Sequence, residues 1–358
     1  GDDSYREPCE EFLAGLRDDV SLTPFGHQLA RAHVVDWLEQ RLSIQREVNR
    51  HPAILDLDVP RPLVIVGPPR TGTTLLNHLL AQDPAARPLR TWEAMWPVSP
   101  TRRVDVRRWL GGIVVWFANR WVMPDWNRMH PFTREGPEEC AFLLAHTFIN
   151  PVLMPVRSYR EWFRRQPDET FDRGYAGYRR ALQVLQWQQP AAGHWVLKSP
   201  VHVWAMDALM RAIPGAHIVH THRHMTQVIP SYCSLQAVLL SLYTNELDPT
   251  RMGALMMDIA TEAVARSEQA RDKVESRRIL DLDYRELVSD PIAAVRRIYD
   301  ELGYDYTPGF EERLRAFLAR DRATPRPRHT YTLEQFGLSE EKVTEAFAGY
   351  HARHGLEP

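Results

Sequence analysis

The chain has 358 residues, enough for one large α/β domain or two and for a substantial buried core. Its 44 Lys and Arg are balanced by 46 Asp and Glu, which excludes a polyanion-binding stripe driven by net charge. No nucleic-acid partner is therefore expected, and any anion site must be local.

Three cysteines, Cys9, Cys140 and Cys233, stand at unrelated spacings. That argues against a disulfide framework or a Cys-rich zinc site and fits a reducing cytoplasm. The first residues are acidic and polar, unlike a signal peptide, and no apolar run is long enough to span a bilayer.

Residues 8 to 50 read as helical, with Leu29, Val35, Leu38 and Leu42 near helical spacing and His51-Pro52 ending the pattern. Residues 1–60 are expected to form an N-terminal helical extension, packed on the core or at a subunit contact such as a homodimer, ahead of a main domain at 61–358.

Pro62 to Leu76 then give a β-branched apolar run, a Gly/Pro turn and a helical run, which reads as strand, loop and helix. Backbone N–H groups converge at such a helix start and can cradle an anion. The Gly67-x4-Gly72 spacing fits the start of a Walker P-loop, but Thr73 and Thr74 stand where that motif needs Lys and then Ser or Thr. Arg70 supplies a cation from inside the loop instead, with a planar fork suited to a tetrahedral anion. An ordinary Gly-containing βα turn, or a P-loop kinase or NTPase, is the competing reading.

After the loop comes a short aromatic segment, Thr91 to Pro97, carrying the carboxylate Glu93. Trp109 to Trp126 is rich in large apolar residues with Arg107, Arg108 and Arg120 around it. A core helix, an apolar lid over an acceptor site and a peripheral membrane contact all suit it. A non-catalytic membrane-surface protein built on this stretch is a further alternative. Residues 100–190 as a whole read as an inserted helical region on the acceptor side.

His130 with Glu135, Glu138 and Glu139 imitates a metal cluster, but no second His stands at ligand spacing. The glutamates read instead as the first turn of a helix, and no metal is expected. The aromatic, basic stretch from 158 to 189 reads as packed helices.

Two further strands end in functional side chains. His194 to Leu197 delivers Lys198, with His202 just beyond, and Ala216 to His222 delivers Arg223. In open parallel sheets ligands bind outside the carboxyl ends of the strands. Gly67, Lys198 and Arg223 all follow strands in this way, so three anion-binding elements are expected at one edge. Long helices are expected over 225–243 and 253–275, a strand over 278–284 and helices over 291–303 and 308–320. A basic, Pro-rich loop containing Arg326, Arg328 and His329 precedes a final helix over about 339–353.

Together these residues resemble the sulfotransferase superfamily, which moves a sulfuryl group from 3′-phosphoadenosine 5′-phosphosulfate (PAPS) to a hydroxyl or amine. The loop Pro69 to Thr74 resembles the family's 5′-phosphosulfate loop, in a form with Arg, and the Arg-His-x-Tyr segment beginning at Arg328 is similar to that of bacterial members. Arg223 with Ser231, eight residues on, resembles the 3′-phosphate pair, and Tyr284 a cofactor-contacting tyrosine.

The resemblance covers about Pro62 to Tyr350 and implies a P-loop-like α/β fold: a central parallel sheet flanked by helices, used without a metal. It implies that Thr71, Gly72, Thr73 and Thr74 hold the 5′-phosphate and that Arg328 and His329 contact phosphate. Arg70 and Lys198 would stabilise charge on the bridging oxygen, and 3′,5′-adenosine bisphosphate (PAP) would be the product.

For the base, cytosolic members use a His where this chain has Pro200. Glu93 resembles the glutamate used by tyrosyl-protein and some carbohydrate and bacterial members, and His202 is the second candidate. The aromatic surroundings favour an apolar small-molecule or lipid acceptor.

Overall fold

A computed structural model describes residues 3–101, 104–122, 132–150, 156–323 and 331–357. Its centre is a five-stranded sheet, all parallel: β1 (Leu63–Val66), β2 (Ala86–Pro88), β3 (His194–Lys198), β4 (His217–His222) and β5 (Ile279–Asp283), in the order β2-β3-β1-β4-β5. The expected parallel sheet flanked by helices is thus present. The strands before β4 lie on one side of β1 and those from β4 onward on the other. The loop leaving β1 therefore occupies the point where strand order reverses, the usual ligand crevice of such sheets.

All four β1 residues are buried, as a strand covered on both faces requires. Alternate residues serve different cores. Val64 and Val66 join Trp195, Leu197 and Ile218 in the larger core, whereas Leu63 and Ile65 join Val196, Val219, Leu280 and Leu282 in the smaller one.

The N-terminal segment forms two helices, α1 (Arg6–Asp18) and α2 (Pro24–Arg50). They are separated because Thr23 caps α2, accepting from Gly26 N at 2.9 Å, with Pro24 in the first turn. Phe12 of α1 and Trp37 of α2 pack against each other and Phe148. They belong to the larger core together with the sheet residues. Gln40 of α2 also donates to Met95 O at 2.6 Å.

The next helices are α3 (Thr73–Leu80), α4 (Thr91–Met95), α5 (Arg107–Phe117) and α6 (Ala141–Ala145), followed by α7 (Arg157–Arg164), α8 (Asp168–Gln188) and α9 (Met206–Ala212). Helix α5 continues into a π-helical turn at Ala118–Val122. Tyr159, Trp162, Phe163, Tyr175 and Tyr178 on α7 and α8 are buried packing residues.

Beyond β4 run α10 (Met225–Leu240) and α11 (Pro249–Arg271). The latter begins earlier than its apolar pattern because Asp248 and Pro249 cap it. After β5 come α12 (Tyr284–Ser289), α13 (Pro291–Leu302) and α14 (Pro308–Ala323). The expected final helix is two, α15 (Glu340–Ala346) and α16 (Ala348–His354).

Candidate active site

The loop between β1 and α3 is built for close approach. Arg70 and Gly72 adopt left-handed backbone, with φ of 72° and 90°. A Cβ on Gly67 would lie 2.2 Å from Thr221 Oγ1 and 2.7 Å from Thr221 O, so only glycine lets β1 turn here beside β4. The Thr71 hydroxyl is turned inward, donating to Pro68 O at 2.8 Å and lying 2.6 Å from Thr221 Oγ1. It braces the loop, leaving the Thr71 backbone N–H as its means of meeting an anion. Thr73 and Thr74 open α3, whose first N–H groups have no intrahelical acceptor.

A second group locks onto this loop from β4, β5 and α10. Arg70 Nε donates to Ser231 Oγ at 2.8 Å, and Ser231 Oγ lies 2.6 Å from the Tyr331 hydroxyl. Arg223 donates from Nη1 to Arg70 O at 3.1 Å and from Nε to Gln227 Oε1 at 3.0 Å. Its guanidinium lies over the Tyr284 ring, 4.0 Å from the centroid. Burial draws the Arg223 pKa below its ordinary value, with the nearby Tyr284 and Tyr331 opposing the shift. Arg70, Arg223, Ser231 and Tyr284, each expected from sequence, are therefore one interlocked unit.

Lys198 closes β3, and its register partner is Ile65, two residues before Gly67. Its side chain is 1% exposed and its Nζ lies 2.5 Å from Glu139 Oε1. Glu139 reaches this place through a short antiparallel bridge, Arg90 with Pro137, in which Glu138 N donates to Leu89 O at 2.7 Å. Cys140 N then donates to Lys198 O at 2.9 Å. The expectation that Glu138 and Glu139 form a helix's first turn is corrected: both precede α6, whose N-cap is Cys140.

The two sequence candidates for the base lie in closed surroundings. Glu93 is buried in α4, where Oε1 accepts from Arg87 Nη2 at 2.7 Å and Oε2 from Arg90 N at 3.1 Å. This is a capping box joined to a buried ion pair. His202 is fully buried between Tyr175 and Tyr178, with Nδ1 2.9 Å from the Tyr175 hydroxyl. Burial lowers its pKa to about 3. Arg328, His329 and His130 lie outside the described residues.

His220, His222 and Asp281 bring ligand-type atoms within 4.8 Å of one another. The Arg271 guanidinium is already bonded there, 3.0 Å from His220 Nδ1 and 2.7 Å from each Asp281 oxygen. A cation thus already satisfies this cluster.

On the neighbouring surface, Trp109, Trp116 and Trp121 are 65%, 62% and 62% exposed, beside exposed Phe117 and Ile113. The core-helix reading is corrected accordingly for residues 109–122, while residues 123–126 of that stretch lie outside the described residues. Helix α5 packs on α4 through Gly111, where a Cβ would lie 2.8 Å from Trp92 Cβ, and Arg107 stacks on the Trp92 ring at 4.9 Å. Among the described residues no helix is long and apolar enough to cross a membrane.

The sequence pattern assigned no part in the site to Glu139, Thr221, Gln227 or Tyr331. Gln227 had a signal, one helical turn after Arg223; Glu139 had none, because its partner is distant in sequence and reached only through the folded bridge.

Relatives with solved structures superpose on nearly the whole chain. Sulfotransferase STF9 from Mycobacterium avium has a TM-score of 0.87 and 30% identity, covering 100% of this chain and 93% of its own. Sulfotransferase STF1 from Mycobacterium tuberculosis H37Rv has a TM-score of 0.85 and 30% identity, covering 98% and 93%. The omega-hydroxy-beta-dihydromenaquinone-9 sulfotransferase Stf3 of Mycobacterium bovis is 25% identical over 312 residues, 83% of this chain and 77% of that protein. The model of the sulfotransferase family matches residues 62–308, which spans the whole sheet and its loop, and the chain belongs to that family.

Proposed function

We propose that this enzyme transfers a sulfuryl group from PAPS to the hydroxyl of an apolar small molecule or lipid. The observation that carries the donor assignment is the interlock of Arg70, Ser231 and Arg223 beside the loop. It offers two anion-binding points, the loop amides and the Arg223–Ser231 pair, as a nucleotide phosphorylated at both the 5′ and 3′ positions requires. Thr73 stands where a triphosphate-binding lysine would.

In this reading the amides of residues 71–74 bind the 5′-phosphate, and Arg223 with Ser231 binds the 3′-phosphate. Tyr284, already stacked on Arg223, borders the nucleoside. Arg328 and His329 remain candidates for phosphate contact. The donor supplies an activated sulfur. The chain's part is to orient it and to hold Arg70 and Lys198 where negative charge develops on the departing phosphate oxygen.

An apolar acceptor is supported by the exposed aromatic face of α5, packed on α4, and by a relative named for a menaquinone-derived acceptor. That face also suits peripheral contact with a membrane holding such an acceptor. Three buried, unpaired cysteines are consistent with a cytoplasmic setting.

Calorimetry with PAP and with Mg-ATP tests the donor assignment. The 3′-phosphate contacts should favour PAP by roughly tenfold to a hundredfold, the worth of one or two charge-assisted hydrogen bonds. Equal or tighter binding of ATP would exclude the reading.

A further inference from the structure

We propose that Glu139 is the catalytic base, a role that rests on the sulfuryl-transfer reading above. Its carboxylate lies against the lysine assigned to the leaving group, with Lys198 Nζ 2.5 Å from Oε1. Lys198 is almost wholly buried, whereas the Glu139 side chain is 22% exposed, so the pair has an inner cation and an outer anion. Among the described residues no other group bonds this carboxylate, which leaves Oε2 open on the exposed side.

Glu93 is placed differently. Both of its oxygens are engaged, one by Arg87 and one by the backbone of Arg90, and withdrawing it would strand a buried guanidinium. His202 has no exposed surface and a pKa lowered by burial.

The chemistry balances at the Lys198–Glu139 pair. The acceptor hydroxyl gives its proton to Glu139 as its oxygen bonds to sulfur. The bond between sulfur and the bridging oxygen breaks, and its electron pair leaves on the phosphate of PAP, beside Lys198 and Arg70. Glu139 thus becomes neutral in the same step in which Lys198 gains a new anionic neighbour, so the buried lysine is never left without a counter-charge.

The test compares wild type with Glu139→Gln and Glu139→Asp at saturating PAPS, reading PAP formed. The acceptors are a long-chain primary alcohol and a phenol acidic enough to be ionised at the assay pH. With the alcohol, or with water where the alcohol is not turned over, Glu139→Gln should lose about a hundredfold to ten-thousandfold in kcat. The ionised phenol needs no base, so its kcat should fall far less, and Glu139→Asp should recover part of the alcohol rate.

PAP affinity of Glu139→Gln, measured by calorimetry, should stay within about threefold of wild type, well below the worth of a lost charge-assisted hydrogen bond. Equal losses with alcohol and phenol would make Glu139 a mere counter-ion for Lys198 and overturn the proposal, as would a near-normal alcohol rate in Glu139→Gln. Failure of wild type to bind PAP at all would instead overturn the donor assignment, and this proposal with it.

Discussion

Arg87 Nη2 lies 2.7 Å from Glu93 Oε1, with both side chains more than nine-tenths buried. The guanidinium also lies 3.8 Å from the Trp195 ring centroid and donates to Leu185 O at 3.3 Å. Burial brings its pKa down to about 10, against the pull of Glu93. Removing one partner of such a pair leaves an uncompensated charge in the core, at about 3–5 kcal/mol. Glu93→Ala should therefore lower the urea-unfolding free energy by that order. Glu93→Gln, which keeps an acceptor for Arg87, should cost less and retain substantial turnover per folded molecule. A stable but inactive Glu93→Gln enzyme would return the base role to Glu93.

The parts of the site legible in the sequence are those made by one strand and the turn after it. β1 announces itself by an apolar run meeting glycines, and Lys198, Arg223 and Tyr284 each stand at a strand end that local pattern reveals. The rest depends on contacts between distant segments. β2 has only three residues and no clear alternation, so it looks like loop. Glu139 meets Lys198 only because the Arg90–Pro137 bridge and the Cys140 N–H to Lys198 O bond carry it there. Trp109 to Trp121 has the composition of a core helix, and composition alone cannot say that its aromatic side chains face outward.

The proposed nucleotide end can be dissected one bond at a time. Arg223→Ala removes the guanidinium held by Arg70 O, Gln227 and the Tyr284 ring, and should weaken PAP binding by about 1.5–3 kcal/mol, the range for hydrogen bonds to charged groups. Ser231→Ala also removes the hydroxyl that accepts from Arg70 Nε, so both PAP affinity and kcat should fall. Tyr331→Phe, which breaks only the far end of that chain, should have the smallest effect. Calorimetry and steady-state kinetics read the series. An unchanged PAP affinity in Arg223→Ala would remove the 3′-phosphate assignment.

Buried imidazoles, His202 and His146 among them, tie stability to pH. Burial lowers His202 and His146 to about 3, whereas an unfolded histidine titrates near 6.5. Below about pH 6.5 the unfolded chain therefore binds more protons than the native one. The stability present at neutral pH is lost as pH falls toward about 3, with a slope of up to about 1.4 kcal/mol per pH unit for each histidine. Urea unfolding at a series of pH values should show this slope and a shallower one in His202→Gln. Turnover per folded molecule in His202→Gln should stay near wild type, because the ring is sealed between tyrosines. An unchanged slope would place the proton uptake elsewhere.

The exposed face of α5 and the turn after it should bind vesicles. Trp109, Trp116 and Trp121 are amphipathic side chains of the kind found at membrane interfaces, and Arg108 and Arg120 lie among them, Arg120 over the Trp121 ring at 4.6 Å. Full burial of a large apolar side chain contributes roughly 1.5–3 kcal/mol, and each basic residue near an anionic surface about 1 kcal/mol. Replacing all three tryptophans by Ala should cut partitioning onto anionic phospholipid vesicles by at least about a hundredfold, about 2.7 kcal/mol. PAP affinity should not change, because the three are exposed side chains of a segment that packs on α4 at Trp92. Raising the salt should weaken wild-type binding by screening the arginine contribution alone. Undiminished vesicle binding in the triple variant would show that another surface meets the lipid, and would leave the aromatic face to a role in the acceptor pocket itself.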